Sequence, residues 1–204
     1  MEINKKELKE QEVRTMFITP ALQQKGWAVS VNMREEYYFT DGRVLVVGNQ
    51  HSVAEGKKAD YLLYHKGKPI AVVEAKDNKH AVGGGIQQAM DYAQILDLKF
   101  AYSSNGDAFL EHDFITGKET EIKLEEFPTE EELYNRYLAS KSYTSEELNI
   151  IETPFYYDAH SHEPRYYQRI AVDRTVEAIA RGQQRVLVVM ATGTGKTFTA
   201  FQII

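Results

Sequence analysis

Residues 59–76 read ADYLLYHKGKPIAVVEAK. Two apolar runs, 59–65 and 69–75, flank Lys66-Gly67-Lys68 and predict a pair of strands joined by a short turn. Asp60 opens YLLY. Glu74 ends IAVVEAK, the continuous apolar type of strand that is covered on both faces. Residues i and i+2 of a strand share a face, so Glu74 and Lys76 project together. Two carboxylates can hold a hard divalent cation, and a compact ammonium can offset charge developing on a phosphodiester. The Ala75 carbonyl is a further candidate oxygen ligand. Asp60, Glu74 and Lys76 are therefore the candidate catalytic group, with Mg²⁺, or Mn²⁺ in its place, as the implied ion. The competing reading of the same three residues is a salt bridge at a sheet end.

Spacing does not single them out. Glu7-Leu8-Lys9, Glu55-Gly56-Lys57 and Glu121-Ile122-Lys123 repeat the Glu-x-Lys pattern, and the last two also have an aspartate fourteen residues upstream, Asp41 and Asp107. Context does discriminate. Glu55 sits in a polar, glycine-broken loop, and Glu121 lies in an alternating hairpin whose polar face should be solvated.

Working outward, residues 5–17 predict a helix. Pro20 is expected to interrupt it and open a short second one over 21–26, closed by Gly26. Strands are expected over Trp27 to Val31 and on either side of an Asp41-Gly42 turn. Gly83 to Gly85 precede a helix from Ile86 to Leu98, which places Gln88 and Tyr92 on one face. Both could meet a phosphate or an attacking water, although a packed tyrosine beside a surface glutamine explains them as well. Glu12, in the first helix, is a candidate third carboxylate ligand. A strand at Phe100 to Ser103 and a polar hairpin around Thr116-Gly117 follow, and then a helix capped by Thr129 in a TEEEL capping box.

Composition bounds these readings. The chain has 204 residues, 43% hydrophobic and 26% charged, with no cysteine. This is an ordinary water-soluble composition. Disulfides and thiolate metal sites are excluded, no apolar run approaches a membrane span, and no leader-like apolar segment opens the chain. A cytoplasmic, reducing location is the expectation. The net charge of −6 is unevenly spread: Lys57 to Lys79 holds six lysines against three acids, whereas Glu125 to Glu152 holds eight glutamates against Arg136 and Lys141. The candidate catalytic stretch is the basic one, which suits a nucleic-acid partner, although a solvated lysine face explains it as well.

A second signal lies at 185–197. RVLVVM predicts a short buried strand running into Ala191-Thr192-Gly193-Thr194-Gly195-Lys196-Thr197 and a helix start. That is the strand-loop-helix setting of a phosphate loop: Gly193, Thr194 and Gly195 offer backbone N–H groups, Lys196 reaches terminal phosphates, and Thr197 holds Mg²⁺. Met190 stands where the strict pattern has glycine. Upstream, Arg165-Tyr166-Tyr167-Gln168 resembles the adenine-reading glutamine element of superfamily 2 motors, a resemblance that implies that Gln168 contacts the base.

The order helix, hairpin, Asp60, Glu74-Ala75-Lys76, Gln88-x-x-x-Tyr92 resembles the PD-(D/E)xK nuclease superfamily, with Ala59 where its pattern has Pro. More narrowly, with Glu12-Val13-Arg14-Thr15, Ile18-Thr19-Pro20-Ala21-Leu22 and Gly26-Trp27, the chain resembles the start of the restriction (R) subunit of type I restriction-modification enzymes. The phosphate loop and Gln168 resemble those of superfamily 2 helicases and translocases. The resemblance implies an α/β fold: a PD-(D/E)xK restriction-endonuclease-like core, with a mixed central sheet flanked by helices, over 1–138. A linker over 139–163 and the first strand-loop-helix of a RecA-like motor over 164–204 would follow. It implies a Mg²⁺-dependent type I site-specific deoxyribonuclease acting on double-stranded DNA, coupled to ATP-driven translocation, with modification (methyltransferase) and specificity subunits as partners. Without a Walker B strand these 204 residues are not expected to hydrolyse ATP alone. A repair nuclease-helicase, or a silent nuclease-like DNA-binding or docking module, remain the alternatives.

Overall fold

Strands β4 (Lys57–His65) and β5 (Lys68–Ala75) form the predicted hairpin. Lys66 and Gly67 both take positive φ, 46° and 78°, the backbone that twist-matched two-residue hairpin turns require. The computed structural model that shows this describes residues 4–40, 44–47, 50–53, 56–156 and 163–204, with side chains outside 44–47 and 50–53. The expected Asp41-Gly42 turn lies outside the described residues, as does Glu55.

The pair sits inside a six-stranded mixed sheet of order β1-β4-β5-β6-β7-β8. Its remaining members are β1 (Met33–Phe39), β6 (Phe100–Ser104), β7 (Ala108–Asp113) and β8 (Lys118–Lys123). Every ladder is antiparallel except β5–β6. Parallel neighbours need a crossover, and helix α3 (Ile86–Leu96) supplies it, lying on β5 and β6. Asp97, in the left-handed region, ends α3 two residues before the expected Leu98. On the sheet's other face Val13, Ile18, Leu22 and Trp27 pack with Tyr61, Leu63, Ala71, Val73, Phe100 and Tyr102. Cover on both faces is why β5 reads as an unbroken apolar run. The Glu121 decoy lies exposed on the edge strand β8, in the solvated position its context predicted.

Three local expectations are corrected. The first helix does not stop at Pro20: α1 (Glu10–Val13), a π-helical turn (Arg14–Ile18) and α2 (Thr19–Gln24) run on without a break. Pro20 sits in the first turn of α2, where its missing N–H costs least, and the wider π turn takes up the mismatch. Trp27 to Val31 is not a strand. Ser30 adopts φ 66° and the Asn32 side chain accepts from the Ala28 N–H at 2.7 Å, a turn that delays β1 to Met33. Beyond β1, β2 (Val44–Val47) pairs with β3 (Gln50–Val53) in a separate two-stranded sheet, so β1 takes β4 as its partner.

The chain divides into two compact units at Ser140/Lys141. Helix α4 (Glu130–Lys141) begins with the predicted box: the Thr129 and Glu132 backbone N–H groups bond each other's side chains at 2.8 and 3.3 Å. The stretch expected as a linker holds α5 (Ser145–Ile151), itself boxed by Thr144 and Glu147. In the second unit α6 (Tyr166–Ala180) and α7 (Lys196–Ile203) pack together. The buried strand expected at RVLVVM is absent. Residues 185–190 make no ladder bonds, and Leu187 and Val189 are 88% and 84% exposed. A parallel strand exists only against hydrogen-bonded neighbours, and the described residues of this unit contain no other strand.

Candidate functional site

A β-bulge builds the first site. Next to the turn, Tyr64 faces Pro69 and His65 faces Lys68; beyond Leu63 the register moves by one, so that Leu63 faces Ala71 and Tyr61 faces Val73. Ile70 is the extra residue, adjacent to a proline that has no N–H to donate. Continued one step, the shifted register sets Asp60 opposite Glu74, on one face of the sheet. On its other side Glu74 is in register with Ser103 of β6.

Asp60 and Glu74 are both buried, at 5% and 4% exposure. The Ala75 N–H donates to Asp60 Oδ2 at 2.8 Å, and an Arg14 guanidinium nitrogen lies 3.2 Å from Asp60 Oδ1. The Lys76 ammonium donates to Glu74 Oε1 at 3.2 Å and to Gln88 Oε1 at 3.1 Å, and Gln88 Nε2 donates to the Tyr92 hydroxyl at 2.9 Å. The structure therefore brings Asp60, Glu74, Ala75, Lys76, Gln88 and Tyr92 to one place. Glu12 is not among them: it accepts from the Lys9 N–H at 2.7 Å on the exposed start of α1. A free carboxylate near a helix N-terminus is drawn to the unpaired N–H groups there, and that takes Glu12 out of the cluster.

Burial, and then the Asp60 charge, push the Glu74 carboxyl up to about 8, against the pull of Lys76. Glu74 Oε2 is buried with no hydrogen-bond partner. Lys76 meets only Oε1, so Oε2 beside the Asp60 carboxylate remains an open acceptor, and the donor set of Asp60 and Glu74 fits a hard divalent ion. Among the described residues no group of three or more acidic or histidine side chains converges on a metal position.

Sequence reasoning passed over Arg14, Ser103 and Gly85. The Ser103 hydroxyl donates to Val82 O at 2.8 Å and accepts from the Gly85 N–H at 2.9 Å, seating the start of α3 on the site. A Cβ at Gly85 would lie 3.0 Å from Ser103 Oγ, 3.1 Å from Glu74 Cγ and 3.2 Å from Lys76 Cε. The GGG triplet is a visible signal for close approach; Arg14 stands in the Glu12-Val13-Arg14-Thr15 stretch that carries the resemblance, but nothing there points to Asp60.

In the second unit Gly193 and Gly195 take φ of 78° and 81°, and Gly195 is the residue before α7. Gln168 Nε2 donates to Thr194 O at 2.9 Å while its Oε1 accepts from the Arg165 N–H. Any side chain at Gly195 would strike Gln168. Lys196 folds back onto the Met190 and Ala191 carbonyls at 3.1 Å, and Thr197 is exposed beside it. The glutamine and the glycine loop thus meet.

Two family models match these two regions. One, described as the second domain of the type I restriction enzyme EcoKI endonuclease subunit, matches residues 34–105; the other, described as the res subunit of type III restriction enzyme, matches residues 161–204. A restriction-enzyme subunit is the class that both define. The chain is 43% identical over its whole length to the type I restriction enzyme EcoAI endonuclease subunit of Escherichia coli, and 28% identical over 95% of its length to the EcoKI endonuclease subunit of E. coli K12. A solved structure described as a fragment of an HsdR subunit of a type I restriction enzyme from Vibrio vulnificus YJ016 superposes with a TM-score of 0.81, at 45% identity over 96% of this chain and 37% of that one. The chain belongs to the type I restriction enzyme R (HsdR) subunits, and it spans about a quarter of the length of the curated relatives, 26% and 21%.

Proposed function

We propose that the first unit is a Mg²⁺-dependent endonuclease domain of the PD-(D/E)xK type, hydrolysing phosphodiester bonds of double-stranded DNA. The second unit is read as belonging to a RecA-like ATP-driven translocase in the whole protein. The observation that carries the nuclease reading is the opposition of Asp60 and Glu74, with an unpartnered buried Glu74 oxygen and the Lys76–Gln88–Tyr92 chain on its flank.

Asp60, Glu74 and the Ala75 carbonyl would hold the metal ion. Bound there, it supplies charge to a phosphoryl oxygen and lowers the pKa of a coordinated water. Lys76, tethered by Glu74 and Gln88, would offset the charge that develops on the phosphorane. Gln88 fixes that ammonium and is itself fixed by the Tyr92 hydroxyl. In the second unit Gln168 would read the adenine, Gly193, Thr194 and Gly195 would cradle phosphates, and Lys196 would turn from its loop carbonyls to the terminal phosphates while Thr197 holds Mg²⁺. Modification and specificity subunits are the proposed protein partners, and a cytoplasmic location the proposed setting. Among the described residues no helix is long and apolar enough to cross a membrane.

The test is Mn²⁺ calorimetry on this chain, wild type against Glu74→Ala, with thermal melting as the folding control. Binding lost in a folded variant supports the centre. Unchanged binding would put the ion elsewhere and refute the assignment.

A further inference from the structure

We propose that Arg14 is the positioning residue for Asp60: a fixed guanidinium that holds the carboxylate in its metal-ready orientation, with Glu36 as its anchor. The inference rests on the nuclease reading and goes beyond it, because Arg14 and Glu36 belong to no part of the Asp60–Glu74–Lys76 motif.

Three acids stand side by side on adjacent strands. The β1–β4 register runs Glu35 to Tyr61 and Tyr37 to Ala59, so Glu36 falls opposite Asp60, just as Asp60 falls opposite Glu74 on the other side. Like charges opposed across strands repel. The Arg14 guanidinium answers both of the first two, with Nη1 at 3.1 Å from Glu36 Oε1 and 3.2 Å from Asp60 Oδ1.

That guanidinium has little freedom. Its Nε lies 3.4 Å from the Tyr61 hydroxyl, which is 2.9 Å from Thr19 Oγ1, and its centre is 5.0 Å from the Tyr61 ring. Glu36 also accepts from Lys58 at 3.2 Å. Glu36 keeps φ at 51°, a conformation disfavoured for a residue with a side chain. Strain of this kind persists where the surroundings over-determine it. Asp60 is thus held at both oxygens, Oδ1 by Arg14 and Oδ2 by the Ala75 N–H, which leaves the side toward Glu74 for the ion.

The Ala75 N–H reports this directly, because its acceptor is the Asp60 carboxylate. The experiment is amide hydrogen exchange on Arg14→Gln, Arg14→Lys and Glu36→Gln, in parallel with Mn²⁺ calorimetry. In Arg14→Gln the Ala75 amide should exchange about tenfold faster relative to Val72 and Val73 of the same strand. Arg14→Lys should recover only part of this, since one ammonium cannot serve two carboxylates as a planar fork does. Glu36→Gln, at an exposed position that leaves folding intact, should shift Ala75 in the same direction by less. It should add nothing to Arg14→Gln in the double variant. Removing a cation should by charge alone tighten Mn²⁺ binding; loss of positioning weakens it, and weakening is the expected result. An unchanged Ala75 amide, an equal acceleration of all three amides, or tighter Mn²⁺ binding in Arg14→Gln would overturn the proposal. Absence of Mn²⁺ binding by the wild type would instead refute the metal-nuclease reading, with the Ala75 exchange still deciding the role of Arg14.

Discussion

Glu74 makes the protein's stability depend on pH in an unusual direction. An acid whose folded pKa lies at about 8, above the ordinary value of 4.5, keeps its proton in the fold longer than in the unfolded chain. The folded state therefore binds more protons between those values, and stability falls as pH rises through that window. Without divalent metal, urea unfolding should show a loss of a few kcal/mol, order of magnitude, from pH 5 to pH 8, and Glu74→Gln should flatten it. A wild-type profile already flat across that range would contradict the burial of this carboxyl. Gly85 carries a second prediction. Gly85→Ala should leave the fold within about 1–2 kcal/mol, because alanine favours the following helix while crowding three neighbours. It should nonetheless cut DNA cleavage sharply by pushing on Glu74 and Lys76; cleavage at the wild-type rate would show that the site tolerates the displacement.

At the scale of elements, a half-exposed arginine ties α4 to two buried carboxylates of β7. Arg136 forks onto Glu111 at 2.7 and 2.8 Å and reaches Asp113 at 2.9 Å, and its guanidinium lies 4.6 Å from the Phe100 ring centroid. The buried Tyr102 hydroxyl donates to the same glutamate. Burial opposes the charge on Asp113, but Arg136 and the N–H groups of Ile115 and Thr116 outweigh it and hold the carboxyl below its usual range. That contribution is present above the unfolded value and lost as pH falls through the folded one, so this anchor weakens on the acid side. Arg136→Met should destabilise the first unit by about 3 kcal/mol, since it leaves two carboxylates without their counter-ion. Urea midpoints measure this, and a loss below 1 kcal/mol would mean that water or another cation replaces the guanidinium.

For the whole molecule, the two candidate sites sit in separate units, and their losses should separate. In the assembled enzyme Lys76→Ala should abolish cleavage and leave ATP-driven translocation intact, whereas Lys196→Ala should abolish translocation and ATP turnover. Translocation assays on the two variants decide it; Lys76→Ala cleaving at the wild-type rate would remove that lysine from the chemistry.

The sequence alone determined what depends on neighbours along the chain. The β4–β5 pair follows from its apolar runs and the Lys66-Gly67 turn. The covered character of β5 follows from IAVVEA, the α4 start from its capping box, and the α7 start from its glycine loop. These are short-range effects of backbone conformation and burial pattern. Strand context already separates Glu74 from the other Glu-x-Lys copies, but only the tertiary structure set Asp60 opposite it, because that opposition depends on a one-residue bulge at Ile70 that spacing does not encode. It also decided that Glu12 stays at its helix end while Arg14 reaches Asp60, since both outcomes depend on which unpaired group each side chain meets across the fold. RVLVVM shows the same limit from the other side: its apolar content reads as a strand, but a strand is formed by the neighbours it bonds.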